Sequence, residues 1–424
     1  MKLTKNSIIG LIIPLTMLIY NLNWKIGAVA SLVSIVCIIL LEGVKIKISN
    51  SFILKMWATY LVVFAVCLQI VRSYELTISY VLGYVLVILL LIIGIKENAI
   101  EKMCKAFGII ALFEAFGIYL QLFLPSVYSV IMGILVESAT RQTILSRVSE
   151  GYYTGFTREV SLTVIFLILG IGLLGTELLF MKNLTRLQKQ KNIIKVVFLF
   201  IALLISGKKA QTIFCIVAFL ITYTVYSNNK LKILKVIGGI IAIIVLFIVL
   251  APYLQNISTI ARITTLITDY IQNQDTSVLT SGRTEIYESA LRLWDSNKLF
   301  GIGWNNFKNS IELSSWFSRF DVHNCYLQVL CETGIVGAFL FYFLKAVTMC
   351  RIVKSALNEK KRINQVDSKM AFFLFFFFFF VLYEITGTCL YEVSYYIPFF
   401  IAIIYCEQKQ IKFTLQKKEM GKIK

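Results

Sequence analysis

Apolar stretches of about twenty residues, nearly free of charge, recur along this chain and decide what it can fold into. A helix of that length crosses the hydrocarbon core of a bilayer, where every backbone N–H and C=O must be bonded within its own segment. With 58% hydrophobic residues, 15% charged residues and a mean hydropathy of +0.79, 424 residues cannot hide this surface in a water-soluble core. The reading is an all-α polytopic membrane protein. About twelve spans can be placed, over residues 8–20, 28–41, 52–71, 77–95, 107–124, 161–180, 193–205, 210–226, 236–250, 326–349, 370–385 and 393–405. Residues 1–250 hold spans one to nine and a secondary outer loop at about 125–160, whose start reads as a short interfacial helix. Residues 251–324 form a cap loop, 325–407 hold the last three spans, and 408–424 are a basic tail. Lys2 and Lys5 before the first apolar run suggest a signal peptide, but Trp24 and Lys25 interrupt the cleavage region and a second span follows at once. An uncleaved anchor is expected.

The net charge of +19 is explained by its placement. With the amino terminus inside, most of the 42 Lys and Arg fall on inner connectors, the positive-inside pattern of a cytoplasmic membrane protein with both termini cytoplasmic. No nucleic-acid partner is required. Arginine is distributed differently, since Arg72, Arg141, Arg147, Arg158, Arg262, Arg283, Arg292 and Arg319, eight of the eleven, fall outside. Single arginines there can meet lipid headgroups or local carboxylates, but the planar guanidinium also grips phosphate in bidentate fashion, and as a group they favour an anionic ligand. The nine cysteines form neither a C-x-x-C pair nor a Cys/His cluster, so neither a zinc site nor a disulfide framework is supported. Cys325 and Cys389 fall near the outer surface, and sequence alone cannot pair them.

The cap carries six Lys/Arg against seven Asp/Glu over residues 254–324, which suits a folded unit. Helices are expected over 257–270, with Ile260, Ile263, Leu266, Ile267 and Tyr270 on one face, and over 283–298, with Ile286, Ala290 and Trp294 on one face. A third is expected over 306–320, after a turn at Gly301-x-Gly303. His323, the only histidine, sits where the cap meets span ten, beside Asp321 and Asn324, and can exchange a proton near neutral pH. The alternative is an interfacial histidine bonded to a backbone carbonyl. Arg283 falls at a helix start that Ser281 can cap, which together suit a phosphate, or else it pairs with Glu285. Arg158 at the mouth of span six is a second phosphate ligand or a partner of Glu159. Lys208 and Lys209 sit at an outer hairpin tip, against the charge rule, either snorkelling or facing the same anion. Glu114, Glu332 and Glu384 lie within spans and should face protein or water. The Phe372–Phe380 run reads as packing bulk.

Several chemistries are excluded by missing motifs. There is no G-x-x-x-x-G-K-[ST], no Asp-x-Asp pair for a metal-held nucleotide sugar, and Gly301-x-Gly303 lacks the glycine-opened helix of a dinucleotide site.

Arg283, then Gly301-x-Gly303, then His323-Asn324-x-Tyr326-Leu327, then Glu332-x-Gly334-x-x-Gly337 resembles the signature of the O-antigen ligase and repeat-unit polymerase family. The Gly155-Phe156-Thr157-Arg158 stretch is similar to that family's motif before span six, without its frequent proline, and Lys208-Lys209 stands where relatives often carry Ser-Arg. The resemblance implies glycan transfer from an undecaprenyl-diphosphate-linked oligosaccharide outside the cytoplasmic membrane, without cofactor, nucleotide or metal. By the same resemblance His323 activates the acceptor and Arg283, with Arg158, Lys208 and Lys209, binds the diphosphate, while Asn324, Tyr326 and Glu332 support them. Membrane lipids, a chain-length regulator and a flippase of the pathway are the implied partners. Ligation needs a lipid A core acceptor, and a Lys-, Ile- and Asn-heavy composition points to an AT-rich genome and a cell without an outer membrane, which favours a capsular or exopolysaccharide polymerase over an O-antigen ligase. A flippase or other transporter is the alternative of a different class, but the chain shows no repeated halves and little mid-span breakage.

Overall fold

The apolar runs become helices wherever the chain can be described. The computed structural model describes residues 4–42, 49–72, 78–181, 183–227, 231–273, 283–310, 321–363 and 367–422, and among them every regular element is helical. In chain order these are α1 Lys5–Leu22, α2 Trp24–Glu42, α3 Phe52–Arg72 with a π-helical middle, α4 Ile78–Ile93, α5 Glu97–Phe123, α6 Pro125–Leu135, α7 Ser138–Ser149, α8 Val160–Phe180, α9 Arg186–Ile205, α10 Lys209–Tyr226, α11 Lys232–Leu250, α12 Ser258–Asn273, α13 Thr284–Ser296, α14 Phe307–Ser310, α15 Cys325–Ile363, α16 Ser368–Tyr383 and α17 Val393–Lys422. Eight of them are long and apolar enough to cross a bilayer: α1, α2, α3, α5, α8, α10, α11 from Ile233, and α15. The protein is an integral all-α membrane protein. The other four expected spans are also helical: α4 and α16 are shorter, while α9 and α17 carry a charged end. Helices outrun the apolar runs because nothing stops them. Thus α9 starts at a Thr185 capping box, and α17 carries the basic tail onward to Lys422.

The bundle has two unlike ends. One gathers ion pairs at helix ends, including Lys5–Glu42 at 2.7 Å, Lys409–Glu97 at 2.7 Å, Lys369–Glu101, and Arg351 bidentate on Glu407. The other end carries the α9–α10 hairpin tip, α12 to α14, and the turn between α16 and α17. Between them the phenylalanine run faces the bundle interior. Phe372 to Phe377, Phe379 and Phe380 are buried, with Phe380 stacked on Phe399 at 4.1 Å.

What fastens residues 283–310 to the bundle is a break in α15. Gly334 takes φ 66°, ψ −173°, which interrupts the helix and frees backbone groups on both sides of it. The segment 298–303 satisfies them: Ile335 and Val336 N–H donate to the carbonyls of Lys298 and Leu299, and Ile302 and Gly303 N–H donate to those of Cys331 and Glu332. A Cβ on Gly301 would stand 2.3 Å from the Glu332 carbonyl carbon, and one on Gly334 2.3 Å from that of Leu299, so glycine is required where the strands of chain touch. Glu332, fully buried beneath this contact, accepts from Asn305 N–H at 2.7 Å, Phe307 N–H at 3.2 Å, Gln328 and Tyr391. Trp304 then plugs between Tyr84 and Tyr391. Arg72 donates to the Gly301 carbonyl.

Two cap expectations change. The helix expected over 306–320 is seen as one turn, Phe307–Ser310, and its remainder, with Arg319, lies outside the described residues, as does Ser281. On α12 the apolar face is only half used: Ile260 is buried, but Ile267 and Tyr270 are exposed. The α13 face behaves as expected, with Ile286 and Ala290 buried against Phe307, Val322 and Cys331 and Trp294 packed on them.

Candidate active site

A cavity of about 750 Å³ opens where the hairpin tip, α12, α13 and the start of α15 meet. His323, Arg283, Lys208 and Lys209 all line it, four residues brought together from three regions of the chain. Among the described residues Arg262, Glu159 and Asp269 are the other charged ones on its wall, and Ser161, Gln211 and Tyr383 are among its polar ones.

Each is set by local structure. Asn324 caps α15, its Oδ1 accepting from Leu327 N–H at 3.1 Å, and the residue before it must turn back. His323 does so with φ +55°, a left-handed conformation uncommon outside glycine. Arg283 stands at the N-cap position of α13 and donates to the Thr386 carbonyl at 3.1 Å, which holds its guanidinium over the turn after α16. Gly207 at φ +83° closes the hairpin so tightly that a Cβ would reach 2.4 Å from the Gly151 carbonyl oxygen, and Lys208 follows it. Lys208 lies 5.6 Å from the Tyr152 ring centroid and Arg262 3.7 Å from it, while Arg262 also donates to the Tyr152 hydroxyl at 2.6 Å. One tyrosine therefore spaces two cations on opposite elements.

The Gly155–Arg158 stretch is anchored from behind. Glu114 accepts from Phe156 N–H at 3.0 Å, and Gly155, at φ +59°, leaves room for that carboxylate. The stretch delivers Glu159 to the cavity wall. Arg158 does not line the cavity, and its carboxylate partner is Glu392 at 3.8 Å, not the Glu159 considered from sequence. Tyr326 and Glu332 do not line it either. Tyr326 donates to the Val381 carbonyl and stacks on Tyr342, and Glu332 serves the contact described above. Glu114 and Glu384 are buried against protein as expected, Glu384 paired with Lys345.

Among the described residues four cations stand against two carboxylates in a partly desolvated space, and the electrostatics follow from that. Burial, then the Arg283 guanidinium, pushes the His323 imidazole down to about 4; Lys208 adds to this, while Asp321 and Glu159 oppose it. His323 is thus neutral at pH 7 and able to take a proton. Burial likewise pushes the Lys208 ammonium down to about 8, with Glu159 opposing and Arg283, Arg147 and Arg262 adding to the fall. Burial alone would raise the Glu159 carboxyl, but Lys208, Arg147, Arg158 and His323 outweigh it and hold it below the usual range. The site is short of negative charge. A diphosphate would supply it. Arg262 and Tyr152 were not singled out in the sequence, where the only signal was the excess of outer arginines.

Residues 194–342, from α9 into α15, match the family described as O-antigen ligase. They contain Lys208, Lys209, Arg262, Arg283 and His323. No curated protein matches the chain.

Proposed function

We propose that the protein, whose residues 194–342 match the O-antigen ligase family, is a polysaccharide repeat-unit polymerase. It transfers glycan from an undecaprenyl-diphosphate carrier to an acceptor sugar hydroxyl on the outer face of the cytoplasmic membrane. The observation that carries this reading is the cavity shared by His323, Arg283, Lys208, Lys209 and Arg262 at one end of the bundle.

The reaction breaks the bond between the anomeric carbon and the diphosphate oxygen, whose electron pair stays on the diphosphate. The acceptor oxygen forms the new glycosidic bond and its proton passes to the neutral His323 ring. Arg283, Lys208, Lys209 and Arg262 stabilise the charge that grows on the leaving group, an electrostatic role suited to fixed cations in a partly dry cavity. No metal is called for, since diphosphate with four nearby cations leaves readily. Arg158 acts at one remove, fixing the segment that carries Glu159. The same chemistry with a lipid A core acceptor would make the protein an O-antigen ligase; the composition favours the polymerase.

Reconstitution with a lipid-diphosphate-linked repeat unit tests this. Polymer should form, and His323→Ala should lower its rate by about 10²–10⁴-fold while protein level and donor binding persist. Normal polymer from that variant would refute the assignment. In cells lacking the protein, single-unit carrier should collect on the outer leaflet, whereas collection on the inner leaflet would mark a flippase.

A further inference from the structure

At the opposite end of the bundle a second cavity, of about 610 Å³, opens between α5 and α9, with α8 behind it and the start of α16 at its base. Its lining is divided. Ile109, Leu112, Leu173 and Leu174 are apolar, whereas Glu101, Lys105, Glu177, Asn192, Lys195 and Lys369 are polar. The polar residues stand near the helix ends: Glu101 and Lys105 in the first turns of α5, Glu177 in the last turn of α8, and Lys369 in the first of α16. The apolar residues lie later on α5 and earlier on α8, toward the middle of the bundle.

The carboxylates are already engaged. Glu101 pairs with Lys369, and Glu177 accepts from Asn192 at 3.0 Å. Among the described residues of the lining three lysines stand against two glutamates, a surplus of one positive charge, and Lys105 and Lys195 are the exposed lysines. Gly108 forms part of the wall, and a Cβ there would meet nothing within 4 Å, so the absence of a side chain keeps the groove open toward the bilayer. Ile109 beside it is 68% exposed.

We propose that this groove is a binding site for an anionic phospholipid, its phosphate between Lys105 and Lys195 and one acyl chain along Ile109, Leu112, Leu173 and Leu174. Basic pockets between membrane helices select such headgroups, and an apolar channel leading from the pocket accepts the chain that comes with them. The site is independent of the glycan chemistry at the other end.

Thermal unfolding of the purified full chain in detergent, titrated with phosphatidylglycerol or with phosphatidylcholine of the same acyl chains, tests it. Phosphatidylglycerol should raise the unfolding temperature at a much lower half-saturating concentration. Lys105→Gln with Lys195→Gln should raise that concentration about thirtyfold, the attraction of two lysines, and leave phosphatidylcholine unchanged. Both lysines are exposed, and without them Glu101 keeps Lys369 and Glu177 keeps Asn192 as partners. Gly108→Leu, which fills the groove, should weaken both lipids. Equal responses to the two lipids, or a phosphatidylglycerol response untouched by the lysine changes, would overturn the proposal. A shift reproduced by inorganic phosphate alone would also overturn it, assigning a free-anion site instead.

Discussion

An imidazole held near pKa 4 is a weak base until something cancels the charges around it. Arg283 and Lys208 are those charges, and both line the cavity where a diphosphate would sit. Bound diphosphate should raise the His323 pKa, because an anion beside it favours the charged ring. The base would gain strength only when a donor is present. The acid limb of kcat is therefore expected at higher pH than that of kcat/KM for the donor, which lies near the free-enzyme value; coincident limbs would argue against the coupling. Lys208 makes a prediction on the alkaline side. It loses its proton as pH rises through about 8, so donor KM should climb above that pH, and Lys208→Arg, always charged, should remove the climb. His323 and Arg283 were legible in the sequence through residue type and spacing. That Arg158 turns away to Glu392 was not, because nothing local distinguishes Arg158–Glu159 from Arg158–Glu392.

At the scale of elements, the glycines at 301, 303 and 334 read from sequence as turn punctuation or as part of a motif. Gly301 and Gly334 let two backbones touch across the break in α15, and Gly303 leaves room for the side chains of Asn306 and Arg72. Gly334→Ala would place a methyl 2.3 Å from Leu299 backbone at a φ, ψ pair open almost only to glycine, a strain of about 1–3 kcal/mol before any contact is lost. The unfolding temperature should fall and product formation with it, although Gly334 touches no part of the cavity. Gly238→Ala, with nothing near its Cβ, should change neither. The spanning helices were legible from apolar runs and α13 from its spacing, whose face it buries, but α7, short and largely polar, announced itself by neither. The apolar face of α12 was equally plain, yet Ile267 and Tyr270 remain exposed because Arg262, Leu266 and Asp269 turn the helix toward the cavity.

Across the whole molecule, the lopsided lysine content predicts that the end carrying the basic tail faces the cytoplasm and the cavity end faces outward. Single cysteines placed at Asp295 and at Thr414, in a chain otherwise freed of cysteine, should label with a membrane-impermeant maleimide from outside intact cells at 295 only; labelling at 414 would invert the orientation. By itself the sequence determined the class, the spanning helices and the charge asymmetry, since these rest on runs and periods within single segments that a bilayer forces into helices. Only tertiary structure decided which ionisable groups share a space. Lys208, Arg262, Arg283 and His323 meet because a glycine hairpin, a tyrosine between two cations and a broken helix bring separate elements together, and such meetings depend on contacts between segments far apart in the chain.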